Sequence, residues 1–244
     1  MLHTNIVYLI ILNLFFIFVY LTSEFLFKKE CKTNKSKEYL RKLTHIETSI
    51  LFILATFTLN QFFFILLVIE SLISVIVSKY LHIFHSLNDS RSKKGNWGGI
   101  FYALALIIIA LIFYKQTYLI REALLVTGIS DSLAALTGIN IPIKQYNILN
   151  DNKSIMGTFI FFISTTFIFI ASNINYIPTM ILAGILSITE SLSFNGSDNF
   201  TLILITPIIL ILGWGYDLII FSLFLSIFVL LLLFPLKKFN IKSK

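Results

Sequence analysis

The chain alternates between long apolar runs and short polar segments. The apolar runs cover residues 4–27, 43–59, 61–78, 97–114, 118–138, 154–172, 176–192, 199–214 and 216–235. A helix that crosses a bilayer needs roughly 20 apolar residues, and these runs come close to or exceed that length. The loops between them are short, so we expect one domain over residues 1–244. The pattern predicts an all-α, polytopic integral membrane bundle of about nine transmembrane helices.

The composition and the placement of charge agree with this interpretation. Hydrophobic residues make up 57% of the chain and charged residues 13%, against about 25% charged in soluble domains. With the N-terminus outside and loops on alternating sides, 17 of the 19 Lys and Arg residues fall inside, and only Lys115 and Arg121 fall outside. Basic loops are typical of the cytoplasmic side. The net charge of +7 therefore indicates a multi-pass topology in the cell membrane, not a nucleic acid partner.

Four polar clusters interrupt the apolar pattern, and they carry the candidate chemistry. They occupy residues 38–45, 131–138, 152–158 and 190–199, and the predicted topology places all four at the cytoplasmic face. Ionisable groups at the ends of membrane helices are costly, and most of them serve a function. We therefore expect the four polar clusters to form one site that faces the cytoplasm.

The residue types in these clusters suit a metal-bound triphosphate. Phosphoryl transfer needs cations, metal ions and an oriented nucleophile more than it needs covalent help from the protein. Asp131 and Asp198 are candidate Mg²⁺ ligands, because carboxylate oxygens suit that ion. Lys153, with the hydroxyls of Ser154 and Thr158, is a candidate for binding phosphate oxygens. The Lys-Ser pair is not a P-loop, since the glycine frame that precedes it in that motif is missing.

The other polar positions leave alternatives open. Gly157 would let backbone N–H groups approach a phosphate, and Glu190 is a candidate base for a substrate hydroxyl. Arg41 and Lys42 either clamp a further phosphate or anchor their helix at the lipid headgroups. His45 is either part of the site or an ordinary polar residue at a helix start.

Asp131 stands out among the carboxylates. Gly128, Ser130 and Ser132 surround it near a predicted helix end, and the neighbouring sequence offers it no cation. Glu70 lies within the third predicted helix, where it is either a wall of the site or a hydrogen-bond partner of another helix. The polar segment 81–97 is either a solvated connector or a lid.

Taken in order, the four polar clusters resemble the dolichol kinase and phytol kinase family of CTP-dependent lipid-alcohol kinases. The matching boxes are Arg41-Lys42-x-x-His45, Asp131-x-x-Ala134-x-x-x-Gly138, Lys153-Ser154-x-x-Gly157-Thr158, and Glu190 running into Asp198-Asn199. The resemblance covers roughly residues 38–205. Two positions depart from the family pattern: Met156 replaces a usual Glu, and Pro142 stands where a second glycine is frequent.

The resemblance implies a membrane enzyme that uses Mg²⁺ and CTP to phosphorylate a polyprenol, phytol or diacylglycerol. It implies catalytic roles for Asp131, Lys153 and Glu190. The positions implied to bind the nucleotide or its phosphates are Arg41, Lys42, Ser154, Gly157, Thr158 and Asn199. Those implied to support the site are His45, Gly128, Ala134 and Gly138.

Two other classes of protein compete with this interpretation. Cytidylyltransferases of the CDP-diacylglycerol synthase type share similar Asp and Lys boxes, but they continue into a basic stretch. Here the segment 204–236 is almost wholly apolar and offers only Asp217, which favours the kinase. A non-enzymatic transporter would place ionisable groups near the bilayer midplane, often in two similar halves. The chain shows no convincing internal repeat and carries its polar clusters at one predicted face.

Overall fold

The computed structural model describes residues 2–30, 33–81, 97–141, 143–148, 151–174, 176–193 and 196–214. The ninth predicted helix, Pro142 and most of the polar segment 81–97 lie outside these ranges. The helices are α1 (Leu2–Glu30), α2 (Asn34–Thr58), α3 (Gln61–Leu81), α4 (Gly98–Phe113), α5 (Thr117–Leu125), α6 (Asp131–Asn140), α7 (Ile155–Ala171), α8 (Tyr176–Leu192) and α9 (Ser197–Trp214). The described part of the chain is therefore predominantly helical, as the sequence predicts.

Three stretches of helix are long and apolar enough to cross a membrane, judged by length and composition alone. They are Leu2–Lys29, Gln61–Leu81 and Gly98–Asn140, within the residues that the structure describes. The apolar helices Ile155–Ala171, Pro178–Leu192 and Ser197–Leu212 are shorter. These lengths support a membrane protein, whereas the number of spans and their orientation stay predictions.

Helix α2 begins well before the predicted start at residue 43. Thr33 caps it: the Ser36 N–H donates to the Thr33 hydroxyl, and the Thr33 N–H donates to the Ser36 hydroxyl, both at 3.1 Å. This reciprocal capping box satisfies N–H groups that a helix start otherwise leaves without partners. Polar residues such as Glu38 and Lys42 are buried along the first half of α2. A search for apolar runs misses this half, because its buried face is polar.

The predicted fourth and fifth helices are joined more closely than the apolar pattern suggests. A single 3₁₀ turn, Tyr114–Gln116, separates α4 from α5. A straight helix over Gly98–Asn140 would measure about 65 Å, twice the bilayer core. The backbone of Gln116 leaves the helical region, at φ −121° and ψ 60°. Helix α9 packs against both α4 and α5, so the chain bends at this turn.

A short β-hairpin departs from the all-α prediction. Strand β1 (Gln145–Ile148) pairs with strand β2 (Asp151–Ser154) in antiparallel register, with Tyr146 opposite Lys153. Lys144 precedes the hairpin at φ 44°, and its carbonyl accepts a hydrogen bond from the Ile155 N–H at 3.3 Å. The hairpin strands are mostly polar, with Tyr146 and Ile148 as their apolar residues, and the hairpin was not predicted from the sequence. The hairpin leads directly into α7.

Buried apolar side chains form two packed groups. The first lies among α1, α2, α3, α4, α5 and α9 and includes Phe52, Phe64 and Leu106. The second joins α5 and α6 to α7, α8 and α9 and includes Phe161 and Phe169. Glu70 is an interhelical partner, since the Asn13 amide of α1 donates to its carboxylate at 2.7 Å. This contact decides between the two interpretations that the sequence left open for Glu70.

Two glycines provide a test of the helix packing. A Cβ at Gly128 would lie 2.5 Å from both Cβ and Oγ of Ser49 on α2, whereas a Cβ at Gly184 would meet nothing within 4 Å. We expect Gly128→Ala to destabilise the protein by about 1–3 kcal/mol, because α2 must move. Gly184→Ala should gain up to about 1 kcal/mol of helix propensity. Thermal unfolding in detergent measures both, and equal effects of the two substitutions would contradict the packing described.

Candidate functional site

The four polar clusters lie together at one end of the helix bundle. Helix α2 carries Lys42 near this end, while Leu59, at the opposite end, accepts a hydrogen bond from the Tyr114 hydroxyl at 2.6 Å. Lys42 and Leu59 are 17 positions apart, which corresponds to about 25 Å of helix. Lys42 pairs with Asp131 and Lys153 pairs with Glu190, so two pairs of clusters are in direct contact. The sequence prediction that the clusters share one region agrees with these contacts.

The ion pair between Lys42 and Asp131 is buried. The Lys42 ammonium donates a hydrogen bond to Oδ2 of Asp131, and both side chains are only 3% exposed. His45 lies on the same helix, with Nε2 4.0 Å from Oδ2 of Asp131 and 3.1 Å from the Thr127 carbonyl oxygen. The cation that the local sequence does not offer to Asp131 is supplied from 89 residues away. Lys42 is therefore an internal partner of Asp131, not a headgroup anchor.

A π-helical turn positions Asp131. The turn covers Val126–Ser130, and the Asp131 N–H donates to the carbonyl of Val126 five residues earlier. Such wide turns are rare inside α-helices and are frequent at functional sites. Gly128 lets the turn approach Ser49 of α2 closely, and the Ser49 hydroxyl is 3.0 Å from the Tyr102 hydroxyl. The close approach brings α2 and α6 near enough for the buried ion pair.

Lys153 interacts with several carboxylates. Its ammonium donates to the Glu190 carboxylate and, at 3.0 Å, to the Glu190 backbone carbonyl. Asp198 and Asp131 are close enough to interact electrostatically with the same ammonium. Burial alone would lower the pKa of Lys153, but the attraction of Glu190, Asp198 and Asp131 together raises it above its ordinary value. Lys153 is therefore a cation that contacts Glu190 directly and is stabilised electrostatically by Asp198 and Asp131.

The start of α7 is fixed against α6 by close contacts. Ser154 caps α7, its hydroxyl accepting a hydrogen bond from the Gly157 N–H at 3.0 Å. A Cβ at Gly157 would lie 2.9 Å from the Ala134 carbonyl oxygen, and one at Gly138 would lie 2.8 Å from the Ser154 hydroxyl. The supporting roles expected for Ala134 and Gly138 thus have a physical basis in packing. Ser154 serves the helix cap, and its role toward phosphate stays a prediction.

Tyr146 was not predicted from the sequence, and it joins the hairpin to α7. Its hydroxyl lies 2.8 Å from the Thr158 hydroxyl, which in turn donates to the Ser154 carbonyl at 3.3 Å. Because Thr158 uses its proton for the Ser154 carbonyl, the Tyr146 hydroxyl is the donor to Thr158, and burial raises the pKa of this phenol above its ordinary value. This use of the Thr158 proton leaves that hydroxyl less suited to donate to a phosphate. Thr158 instead anchors the strand that carries Lys153.

The remaining predicted residues are held by neighbours at the same end. Arg41 binds Glu38 through two hydrogen bonds, of 2.8 Å from Nε and 2.6 Å from Nη2. The Asn199 amide donates to the Gly98 carbonyl at 3.1 Å, which ties α9 to α4. Asp198, at the start of α9, accepts the Asn199 N–H at 2.9 Å. Glycine is needed in the preceding turn, because Gly196 has φ 80°.

The described residues contain no group of three or more His, Cys, Asp and Glu side chains placed to hold a metal ion. A self-sufficient protein cage of the zinc or calcium type is therefore not formed by the described part of the chain. Mg²⁺ needs less, since it is commonly bound through one or two carboxylates and the phosphates of its substrate.

Comparison of the chain with protein-family models, with curated protein sequences and with solved structures finds no match in any of the three.

The buried ion pair provides a test of the site. Lys42→Met leaves the Asp131 carboxylate buried and unpaired, which should destabilise the protein by about 3–5 kcal/mol. Adding Asp131→Asn should recover much of this loss, because a neutral amide is cheaper to bury than a charge. Denaturation of the purified variants measures the differences.

Lys28→Met is the matched control. Lys28 pairs with Glu24 at 3.7 Å and its side chain is 72% exposed, so its loss should change the free energy of unfolding by less than about 1 kcal/mol. Equal effects of Lys42→Met and Lys28→Met would show that the Lys42–Asp131 pair is not buried.

Proposed function

We propose that this protein is a multi-pass membrane enzyme that transfers the terminal phosphoryl group of a nucleoside triphosphate, by preference CTP, to a long-chain lipid alcohol. The observation that carries the proposal is the electrostatic environment of Lys153. This cation, whose side chain is 17% exposed, contacts Glu190 and interacts electrostatically with Asp131 and Asp198, and a second, buried cation, Lys42, binds Asp131. Cations and carboxylates placed together at one end of a helix bundle are what a metal-bound triphosphate requires.

The carboxylates fit Mg²⁺ as the accompanying ion. Asp131 and Asp198 offer hard oxygen donors, and both interact with the same ammonium group. One or two such ligands suffice when the triphosphate supplies the others. Asp131 and Asp198 are the residues that would hold Mg²⁺, and the ion would supply positive charge to offset that of the phosphate oxygens.

The side chains of the chain itself have separate tasks in the proposed reaction. Lys153 and Lys42 bind phosphate oxygens and stabilise the charge that develops on them. The alcohol oxygen attacks the terminal phosphorus, the bond from that phosphorus to the bridging oxygen breaks, and the nucleoside diphosphate leaves. The hydroxyl proton passes to the carboxylate of Glu190. The lipid product carries one phosphate.

The apolar surface of the bundle supports a membrane-borne acceptor. Helix α7 begins beside Lys153 and exposes Phe159, Ile163 and Phe167 along one side. A lipid alcohol can approach the site along such a surface without leaving the bilayer. We propose that the four polar clusters face the cytoplasm, where nucleoside triphosphates are found, and that the chain crosses the membrane nine times.

Labelled CTP separates the proposed reaction from its nearest rival. Membranes containing the protein are supplied with candidate lipid alcohols, phosphatidate, Mg²⁺ and CTP labelled at the α or the γ phosphate. We expect the γ label to enter the lipid, because the alcohol attacks the terminal phosphorus. Lipid labelled only from α-CTP would establish a cytidylyltransferase, and no labelling of any lipid would favour a non-enzymatic role.

Substitution of Lys153 tests the site within the same assay. We expect Lys153→Ala to reduce lipid labelling by at least about tenfold, because a charge-assisted hydrogen bond to phosphate contributes about 1.5–3 kcal/mol. Lys35→Ala is the control, since Lys35 lies exposed near the start of α2. Equal activity of the two variants would remove Lys153 from the proposed mechanism.

A further inference from the structure

Helix α7 runs antiparallel to the continuous stretch α5–π turn–α6, and three contacts set their register. Gly138 lies beside Ser154, Ala134 lies beside Gly157, and the Ser172 hydroxyl donates to the Glu122 carboxylate at 2.6 Å. Continuing this register along both helices places Thr127 at the level of Thr165. We call the interface between these two stretches the α5–α7 seam.

Buried polar atoms without partners are concentrated in this seam. Among the described residues, six buried side-chain nitrogen or oxygen atoms have no hydrogen-bond partner. Four of them lie on the two stretches that form the seam: Oε2 of Glu122, Oγ1 of Thr127, Oγ of Ser130 and Oγ1 of Thr165. Thr127, Ser130 and Thr165 are completely buried, and Glu122 is 8% exposed. The group runs from Glu122, near the far end of the bundle, to Ser130 beside Asp131.

These hydroxyls differ from most others in the helices. Thr166, Ser164 and Thr206 donate to a carbonyl of their own helix, as buried Ser and Thr commonly do. The π turn changes where the carbonyls before Thr127 and Ser130 point, so this local solution is disturbed there. A buried hydroxyl without any partner is unfavourable, and native proteins usually satisfy such groups with internal water.

We infer that the α5–α7 seam binds ordered internal water, which bridges Thr127 to Thr165 and continues through Ser130 toward Asp131 and toward Glu122. A buried water needs two to four polar partners, and the buried hydroxyls at the same level of the two stretches, together with the free carboxylate oxygen, supply them. The seam thereby connects the carboxyl group of Glu122 with the candidate functional site through hydrogen bonds. This site is independent of the proposed kinase activity.

Replacing the hydroxyls by methyl groups tests the inference through the sign of the stability change. Thr127→Val and Thr165→Val keep the side-chain shape. If the hydroxyls bind a shared water, each substitution should lower the unfolding temperature of the full chain in detergent by about 2–4 °C. The double variant should lose less than the two single losses together, because both remove the same water. Thr206→Val is the control, since its hydroxyl already bonds within its helix.

An unchanged or raised unfolding temperature in both variants would overturn the inference, because removing an unpaired hydroxyl from a dry interface is neutral or stabilising.

Hydroxyl radicals generated from bound water by X-rays provide a second measurement. Phe161 and Phe169 are completely buried and lie one turn on either side of Thr165, so oxidation of their rings reports water in the seam. We expect both rings to be oxidised in the wild type and protected in the double variant. Phe64, which is buried in the first packed group, is the reference for a dry site. If Phe161 and Phe169 of the wild type are oxidised as little as Phe64, the inference is wrong.

Discussion

The buried ion pair between Lys42 and Asp131 is the constraint on which the site depends. Taking two charges out of water costs several kcal/mol for each ion, so the helices that carry them must meet at close range. Helix α2 and the π turn before α6 do so because Gly128 has no side chain to hold Ser49 away. His45 adds a contact from α2 to the carbonyl of Thr127 within that turn. The polar residues in the first half of α2 are therefore buried parts of the site and do not belong to an exposed face of the helix.

The ion pair between Lys153 and Glu190 is likewise positioned by close contacts between the elements that carry it. Lys153 lies on a β-strand and is placed by Tyr146, which bonds to Thr158 of α7. Ser154 and Gly157 hold the start of α7 against α6, so the strand reaches Glu190 at the end of α8. Side-chain hydrogen bonds and close packing between the elements therefore hold the two cations and their carboxylates in place. Such preorganisation is what electrostatic catalysis of phosphoryl transfer demands.

Apolar helices could be predicted closely, and polar contacts could not. Helix α8 was predicted at 176–192 and is found at Tyr176–Leu192, because continuous apolarity specifies such a segment. The first half of α2 was missed because most of its buried positions are polar, and the hairpin at 145–154 was missed because its second strand, Asp151–Ser154, has no apolar residue. The polar clusters identified the residues of the site, but not their partners. Asp131 and Lys42 are separated by 89 residues, and only the packing of α2 on α6 brings them together.

Direct binding of CTP in the presence of Mg²⁺ tests the central claim, that Lys42 and Lys153 belong to one phosphate-binding site. Equilibrium dialysis of the purified chain compares the wild type with Lys42→Met, Lys153→Ala and the exposed control Lys35→Ala, at a temperature where all four are folded. We predict that both site substitutions weaken binding by about tenfold or more and that Lys35→Ala leaves it unchanged. If CTP binding is weakened in only one of Lys42→Met and Lys153→Ala, or in neither, the two lysines do not share a site.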